Sequence, residues 1–215
     1  ALERLSQDSD RDHMQIMEIL CAYIRTNAPL DPETSMSSKE PRADIQATLT
    51  VIGRRAPDKI TLERTNEFVL DLRDAYLRGA DLRDGDFTQA RFWRSNFQFA
   101  VLTRTNLKGA DLRGANLSYA RLIKTRFDAK TDLPKTTFNK AFVFNTDFSK
   151  TGVTQKQLSQ MFASVDTCVP PGLTRPTHWS DKTLPRDEFL THTRHSWSIS
   201  PPRRRRKRRM RRIRD

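Results

Sequence analysis

From Leu72 onward every fifth residue is leucine or phenylalanine: Leu72, Leu77, Leu82, Phe87, Phe92, Phe97, Leu102, Leu107, Leu112, Leu117, Leu122 and Phe127. After one inserted residue the register resumes at Leu133, Phe138, Val143 and Phe148. Two residues ahead of these lies a mostly small side chain, as at Ala75, Ala80, Gly85, Ser95, Thr105 and Ala110, with Leu70 the exception at the first rung. A period of five suits neither an α-helix, which would spread these residues around its axis, nor a flat strand, which would throw them onto alternating faces. A chain that turns a corner every five residues places each large residue at the centre of one side, and four sides make a coil of twenty. Residues twenty apart then stack in four interior columns, headed by Leu72, Leu77, Leu82 and Phe87. About four coils are expected, roughly 4.8 Å apart. Each buried Leu or Phe contributes about 1.5–3 kcal/mol. The slip at Ala129–Asp132 is expected to form a small bulge at one corner.

Between the small and the large residue Asp or Asn is frequent, as in Ala80-Asp81-Leu82, Ala110-Asp111-Leu112 and Ala115-Asn116-Leu117. This pattern resembles the pentapeptide-repeat family: a small residue, Asp or Asn, Leu or Phe, then two variable residues. The resemblance implies an all-β solenoid, the right-handed quadrilateral β-helix, with no active site of its own. The flanks resemble segments that accompany the repeats in many bacterial members: Asp12-His13 with Met17-Glu18-Ile19-Leu20 and Ala22-Tyr23-Ile24-Arg25, then Asp44-Ile45-Gln46-Ala47 with Val51-Ile52-Gly53-Arg54, and behind the repeats Pro171-Gly172-Leu173 with Arg175-Pro176 and His178-Trp179. In such relatives membrane-spanning helices often lie upstream. The resemblance therefore implies that a longer form, extending before Ala1, can be membrane-anchored.

A solenoid exposes unpaired backbone at its ends and needs caps. The expected organisation is a helical N-terminal flank over 1–68, with a Pro- and Ser-rich loop at 28–42, and the β-helix over 69–150. A short capping helix and an irregular segment follow over 151–202, then a polybasic tail over 203–215. In the flank, Met14, Ile16, Met17, Ile19, Leu20, Tyr23 and Ile24 recur at helical spacing from Asp10 to Ile24, and Pro29 ends the run. A second helix is expected over Ala43–Arg54, with Ile45, Leu49 and Ile52 on one face and Pro57 beyond. Thr154 with Gln157 reads as a capping box opening a helix to about Phe162.

The net charge of +13 is uneven. Residues 1–68 are net −3, 70–149 net +5, 150–202 net +2, and the tail net +9, with Arg203, Arg204, Arg205, Arg206, Lys207, Arg208 and Arg209 at its start. Such a run cannot fold alone and binds polyanions: nucleic acid, an anionic surface or an acidic protein. No apolar stretch approaches the length of about 20 residues that a membrane span needs. Cys21 and Cys168 show no metal-type spacing and read as reduced thiols of a cytoplasmic protein.

No catalytic constellation stands out, and neither a cofactor nor a metal is expected. His192 and His195 have i,i+3 spacing, but their Thr/Ser-rich surroundings read as a loop with solvated histidines. His13 reads as structural, and Cys21 as core. Among outward positions, Arg73, Trp93 and Arg113 each follow an interior residue of the first column, with Arg91 and Arg94 beside them. They form a candidate binding face for an acidic partner or a nucleic-acid backbone; the plainer reading is a solvated surface with Trp93 under an arginine stem. Phe142 and Phe144 flank Val143 and should point outward, either beneath the terminal segment or into a homodimer contact. The expectation is a non-catalytic scaffold for an unknown protein partner. The alternative is polyanion association through the tail and the Arg/Trp ladder. DNA mimicry of the kind by which some family members protect gyrase requires an acidic rod, which residues 70–149 are not.

Overall fold

The computed structural model describes residues 2–30 and 41–180. The central part of the 28–42 loop, His192, His195 and the basic tail lie outside the described residues. Four helices precede the repeats: α1 (Leu2–Asp8), α2 (Asp10–Asn27), α3 (Ala43–Gly53) and α4 (Pro57–Thr65). Ser9 caps α2 by accepting the Asp12 N–H, and the helix buries Ile16, Met17, Leu20, Cys21 and Ile24 along one stripe. Pro57 does more than stop α3. It occupies the first turn of α4, where its missing N–H would have no intrahelical partner. Neither α1 nor α4 was expected from the sequence; both are short and mostly polar.

The helices are joined by buried polar contacts. The His13 ring sits between the Ser6 carbonyl and Glu63 Oε1, both at 2.8 Å. Glu63 also lies 2.8 Å from Arg55 Nε. That N–H is not aimed at the oxygen, and Arg55 Nε and Nη2 make no hydrogen bond among the described residues. Lys59, also buried, reaches Asp10 on α2.

From Leu70 the chain winds into a four-sided coil. Parallel bridges join residues twenty apart, as in Asp71 with Arg91, Tyr76 with Asn96, Asp81 with Val101 and Asp86 with Asn106. On each side the interior residue donates to a carbonyl of the next coil: Leu72 to Arg91, Leu77 to Asn96, Leu82 to Val101 and Phe87 to Asn106, at 2.8–2.9 Å. All sixteen large residues of the repeat are buried, from Leu72 to Phe148. Rings touch in the interior, Phe92 with Phe97 of the next column at 4.9 Å and Phe127 with Phe148 of its own column at 5.2 Å. Each side is too short for long strands, so most pairing is single bridges. Only the third side builds a named sheet, in which β1 (Arg121–Ile123), β2 (Phe142–Phe144) and β3 (Phe162–Ala163) pair in parallel. Branched and aromatic residues are concentrated there, as strand preference demands.

The corners are type II turns, with the residue two past the interior position at positive φ. Gly79, Gly109 and Gly114 supply three such corners, but Asp74, Arg94, Phe99, Tyr119, Lys124 and others adopt the same conformation. The inserted residue falls in the corner at 128–131 and lengthens the bridge spacing by one, so that Asp111 pairs with Asp132 and Asn116 with Thr137. Asp128 holds that corner: its carboxylate accepts the N–H groups of Gly109 and Lys130 and the Thr131 hydroxyl. Burial alone would push the Asp128 carboxyl up; these bonds outweigh it and hold it below the ordinary value.

Both ends of the coil are closed. Ahead of the first coil, the Ala28 and Gly53 carbonyls accept from Tyr76 and Asp86, where a preceding coil would otherwise stand. The Gln46 side chain does the same at Asp81, donating to its carbonyl at 2.7 Å and accepting its N–H at 2.8 Å. At the other end pairing runs on past Phe148, with Val143 facing Ala163 and Asp147 facing Cys168. The helix α5 (Gln155–Ser159) opens on the Thr154–Gln157 capping box and is shorter than the sequence indicated. Gln157 Nε2 donates to the Leu133 and Thr136 carbonyls, and Gln160 Oε1 accepts from Phe138.

Candidate interaction surfaces

The interior leaves no room for a ligand; what the coil offers is its outer faces. On the first side, Arg73, Trp93 and Arg113 occupy equivalent positions in successive coils, and all three are exposed, as are Arg91 and Arg94. They do not form an open cationic ladder. Arg73 grips Asp71 through Nε and Nη2, at 2.8 and 2.9 Å, and Arg113 grips Asp111 in the same way. Arg94 pairs with Asp74, twenty residues earlier, while its guanidinium lies 5.4 Å from the Trp93 ring centre. Elsewhere Arg83 pairs with Asp81 and Arg104 with Asp84. The Arg113 hydrogen bond, helped by its charge, holds the Asp111 carboxyl below the usual carboxylate value; Arg83 and Arg104 do the same for Asp81 and Asp84.

A second feature runs up one corner. Phe99 and Tyr119 stack at 4.8 Å with ring planes 5° apart. Arg78 covers Phe99 at 4.2 Å and Lys140 approaches Tyr119 at 5.7 Å. Phe99 and Tyr119 are twenty residues apart, so the coil period puts them in equivalent positions of successive coils.

The third side carries half-buried Val101, Ile123, Phe142 and Phe144, and ends at exposed Phe162. Phe142 stacks on Phe162 at 5.8 Å, and Phe162 meets the His178 ring edge-on at 6.0 Å. Phe142 therefore packs beneath the C-terminal segment, which is tied down where the Trp179 indole N–H and a His178 ring nitrogen meet the Met161 carbonyl. At the opposite end of this side, a groove of about 790 Å³ opens between α3 and the first coils, lined by Gln46, Arg54, Arg83, Asp84, Val101 and Arg104 among others.

No cluster of three or more His, Cys, Asp or Glu side chains among the described residues could hold a metal. Burial pushes the Cys21 thiol up to about 12, which keeps it a thiol and no nucleophile. No helix among the described residues is long and apolar enough to cross a membrane.

The family model for pentapeptide repeats matches in eight copies over residues 70–94 and 95–128. Residues 70–128 are a run of pentapeptide repeats. Solved pentapeptide-repeat proteins are among the similar structures. HetL from the cyanobacterium Nostoc sp. strain PCC 7120, a protein involved in heterocyst differentiation regulation, is 31% identical over 33% of this chain and 37% of HetL, with a TM-score of 0.17. A pentapeptide repeat protein from the Arabidopsis thaliana thylakoid lumen is 24% identical over 53% of this chain and 74% of its own, with a TM-score of 0.22. QnrB1, a plasmid-mediated fluoroquinolone resistance protein, is 14% identical over 60% of this chain and 66% of its own, with a TM-score of 0.29. The match thus spans little more than a third of HetL. No curated protein matches the chain.

Proposed function

We propose that this protein is a non-catalytic scaffold whose third side receives a protein partner. The observation that carries this reading is the apolar surface made by two rows, Val101 and Phe142 with Arg121 between them, and Ile123 with Phe144, which leads from the α3 groove to the exposed Phe162 on the only side built as a continuous sheet among the described residues. Apolar and aromatic side chains at fixed spacing, rimmed by Arg54, Arg83 and Arg104, fit the make-up of a protein interface, with an apolar centre and a polar edge. A photo-crosslinker at Ile123 tests it. Crosslinking to one defined protein should persist in high salt and with the tail arginines changed to glutamine, and should be lost in Phe144→Ser. Crosslinking that disappears with salt or with the tail would refute the reading.

Association with a polyanion through Arg203 to Arg209 is the second reading, favoured by the net +9 of the tail. The face Arg73, Arg91, Trp93, Arg94 and Arg113 is a weaker contributor, because aspartates already partner three of its four arginines. DNA mimicry is disfavoured by the net +5 of residues 70–149. A homodimer through the C-terminal end would compete with the packing of Phe142 on Phe162.

A further inference from the structure

The charge of the coil changes character along its length. Every ion pair of the repeat among the described residues lies between Asp71 and Arg113 or joins that part to the helices. Residues 70–114 hold 8 basic and 6 acidic side chains, whereas 115–156 hold 8 basic and 3 acidic. In that second part Lys124, Arg126, Lys130 and Lys150 are exposed, and none makes an ion pair among the described residues. The coil register places all four on one side. Arg126 precedes the interior Phe127 of the fourth column, Lys124 stands at the corner entering that side, and Lys130 and Lys150 stand at the corner leaving it. Half-buried Lys108 follows Leu107 of the same column, one coil earlier. The three carboxylates on this side are held by neighbouring donors without an ion pair: Asp86 accepts from Thr88 and Asn106, Asp128 from Gly109, Lys130 N–H and the Thr131 hydroxyl, and Asp147 from Ser149, with the charges of Lys108 and Lys150 helping to lower the Asp128 and Asp147 carboxyls.

We propose that the fourth side of the coil, at Lys108, Lys124, Arg126, Lys130 and Lys150, binds the phosphodiester backbone of nucleic acid without reading its sequence. This deepens the polyanion reading, on which it rests, and moves the contact of the solenoid away from the Arg73–Trp93–Arg113 face. Cations without an ion pair lose no such partner when a phosphate arrives, while Arg73, Arg94 and Arg113 of the first side must first release an aspartate. Lys130 and Lys150 occupy equivalent corners of successive coils, about 4.8 Å apart, and Lys124 and Arg126 stand on the same coil as Lys130, so a phosphate backbone crossing this side can meet several at once. A lipid surface fits less well. Interfacial binding adds buried apolar side chains to the electrostatic attraction, and exposed Trp93 and Phe162 lie on the first and third sides, with Val165 at the corner leading into the fourth. Four of the five cations are lysines, point charges suited to phosphate contact and without the planar fork that reads guanine.

The test is a salt titration of binding to a mixed-sequence DNA duplex, with the full chain carrying glutamine at the seven basic positions from Arg203 to Arg209. This chain should still bind. Adding K124Q, R126Q, K130Q and K150Q should lower affinity about tenfold or more at low salt and flatten the salt slope by roughly three to four. K124R, K130R and K150R should keep both, which separates charge loss from misfolding. R73Q, R91Q, R94Q and R113Q should change the slope little. The proposal is overturned if the chain with these seven glutamines no longer binds DNA while the intact chain does, a result that leaves the tail reading standing. If the intact chain does not bind either, both fail. It is equally overturned if the loss follows the first-side arginines, or if phosphatidylserine vesicles are bound as tightly with the same dependence on the four residues.

Discussion

At the residue scale the coil is set by two devices, one at the corner and one in the interior slot. The corner needs positive φ, which costs a side chain roughly 1–2 kcal/mol and a glycine almost nothing. Gly109 sits at φ +67, and a Cβ there would lie 3.2 Å from Gln89 Cγ. Gly109→Ala should therefore lower unfolding free energy by about 1–2 kcal/mol in urea titrations. Gly152→Ala, where no atom lies within 4 Å of an added Cβ, should leave it unchanged or raise it. In the small interior slot, hydroxyls replace methyl groups at intervals and donate to the preceding coil: Ser95 to the Leu72 carbonyl, Thr105 to Leu82, Thr125 to Leu102 and Thr146 to Leu122, all at 2.7–2.8 Å. Thr125→Val keeps the shape and removes that bond, at a cost of about 1 kcal/mol. A cost near zero would show that the Leu102 carbonyl is satisfied by its turn bond from Thr105 alone.

At the scale of elements, the ends of the coil matter most, because a solenoid edge is a row of unpaired backbone groups. Glutamine side chains stand in for a missing strand at both ends, Gln46 at Asp81 and Gln160 at Phe138. Gln46→Leu should speed hydrogen exchange of the Asp81 amide by about tenfold or more, equivalent to the 1–2 kcal/mol lost when two such bonds are removed. Unchanged exchange would mean that α3 covers the edge without them. Little of this capping was legible in the sequence. The repeat was, since sixteen large residues in one register leave few other folds. Helices α2 and α3 announced themselves through amphipathic spacing. Helix α4, with only Lys59 and Glu63 fully buried, carries no apolar stripe to read, and Gln46 looks like any polar residue on a helix. The ion pairs Asp74–Arg94 and Asp84–Arg104 were within reach, being twenty residues apart once the coil length was known. Read as a bare ladder of cations, the first side hid the aspartates that neutralise it.

At the scale of the whole described unit, the gradient of pairing along the coil predicts how it fails in acid. Hydrogen bonds from Arg83, Arg104 and Arg113, reinforced by their charge, hold the carboxyls of Asp81, Asp84 and Asp111 below the ordinary value. A depressed carboxyl contributes its stability in full above the unfolded pKa of about 3.9, and loses it as pH falls through the lower folded value. Acid should thus leave the coil intact from neutrality to about pH 4 and weaken it below. The weakening should be uneven. A protonated carboxyl still accepts a backbone N–H, so the corner held by Asp128 survives better than an ion pair that needs the charge. In a nearest-neighbour solenoid each coil answers mainly to those beside it. Amide exchange at pH 3 should therefore rise first between residues 71 and 113, with the coils from 115 to 148 opening later. Uniform loss of protection along the coil would show that the arginine–aspartate pairs add too little at the surface to set the order of unfolding, as exposed pairs often do.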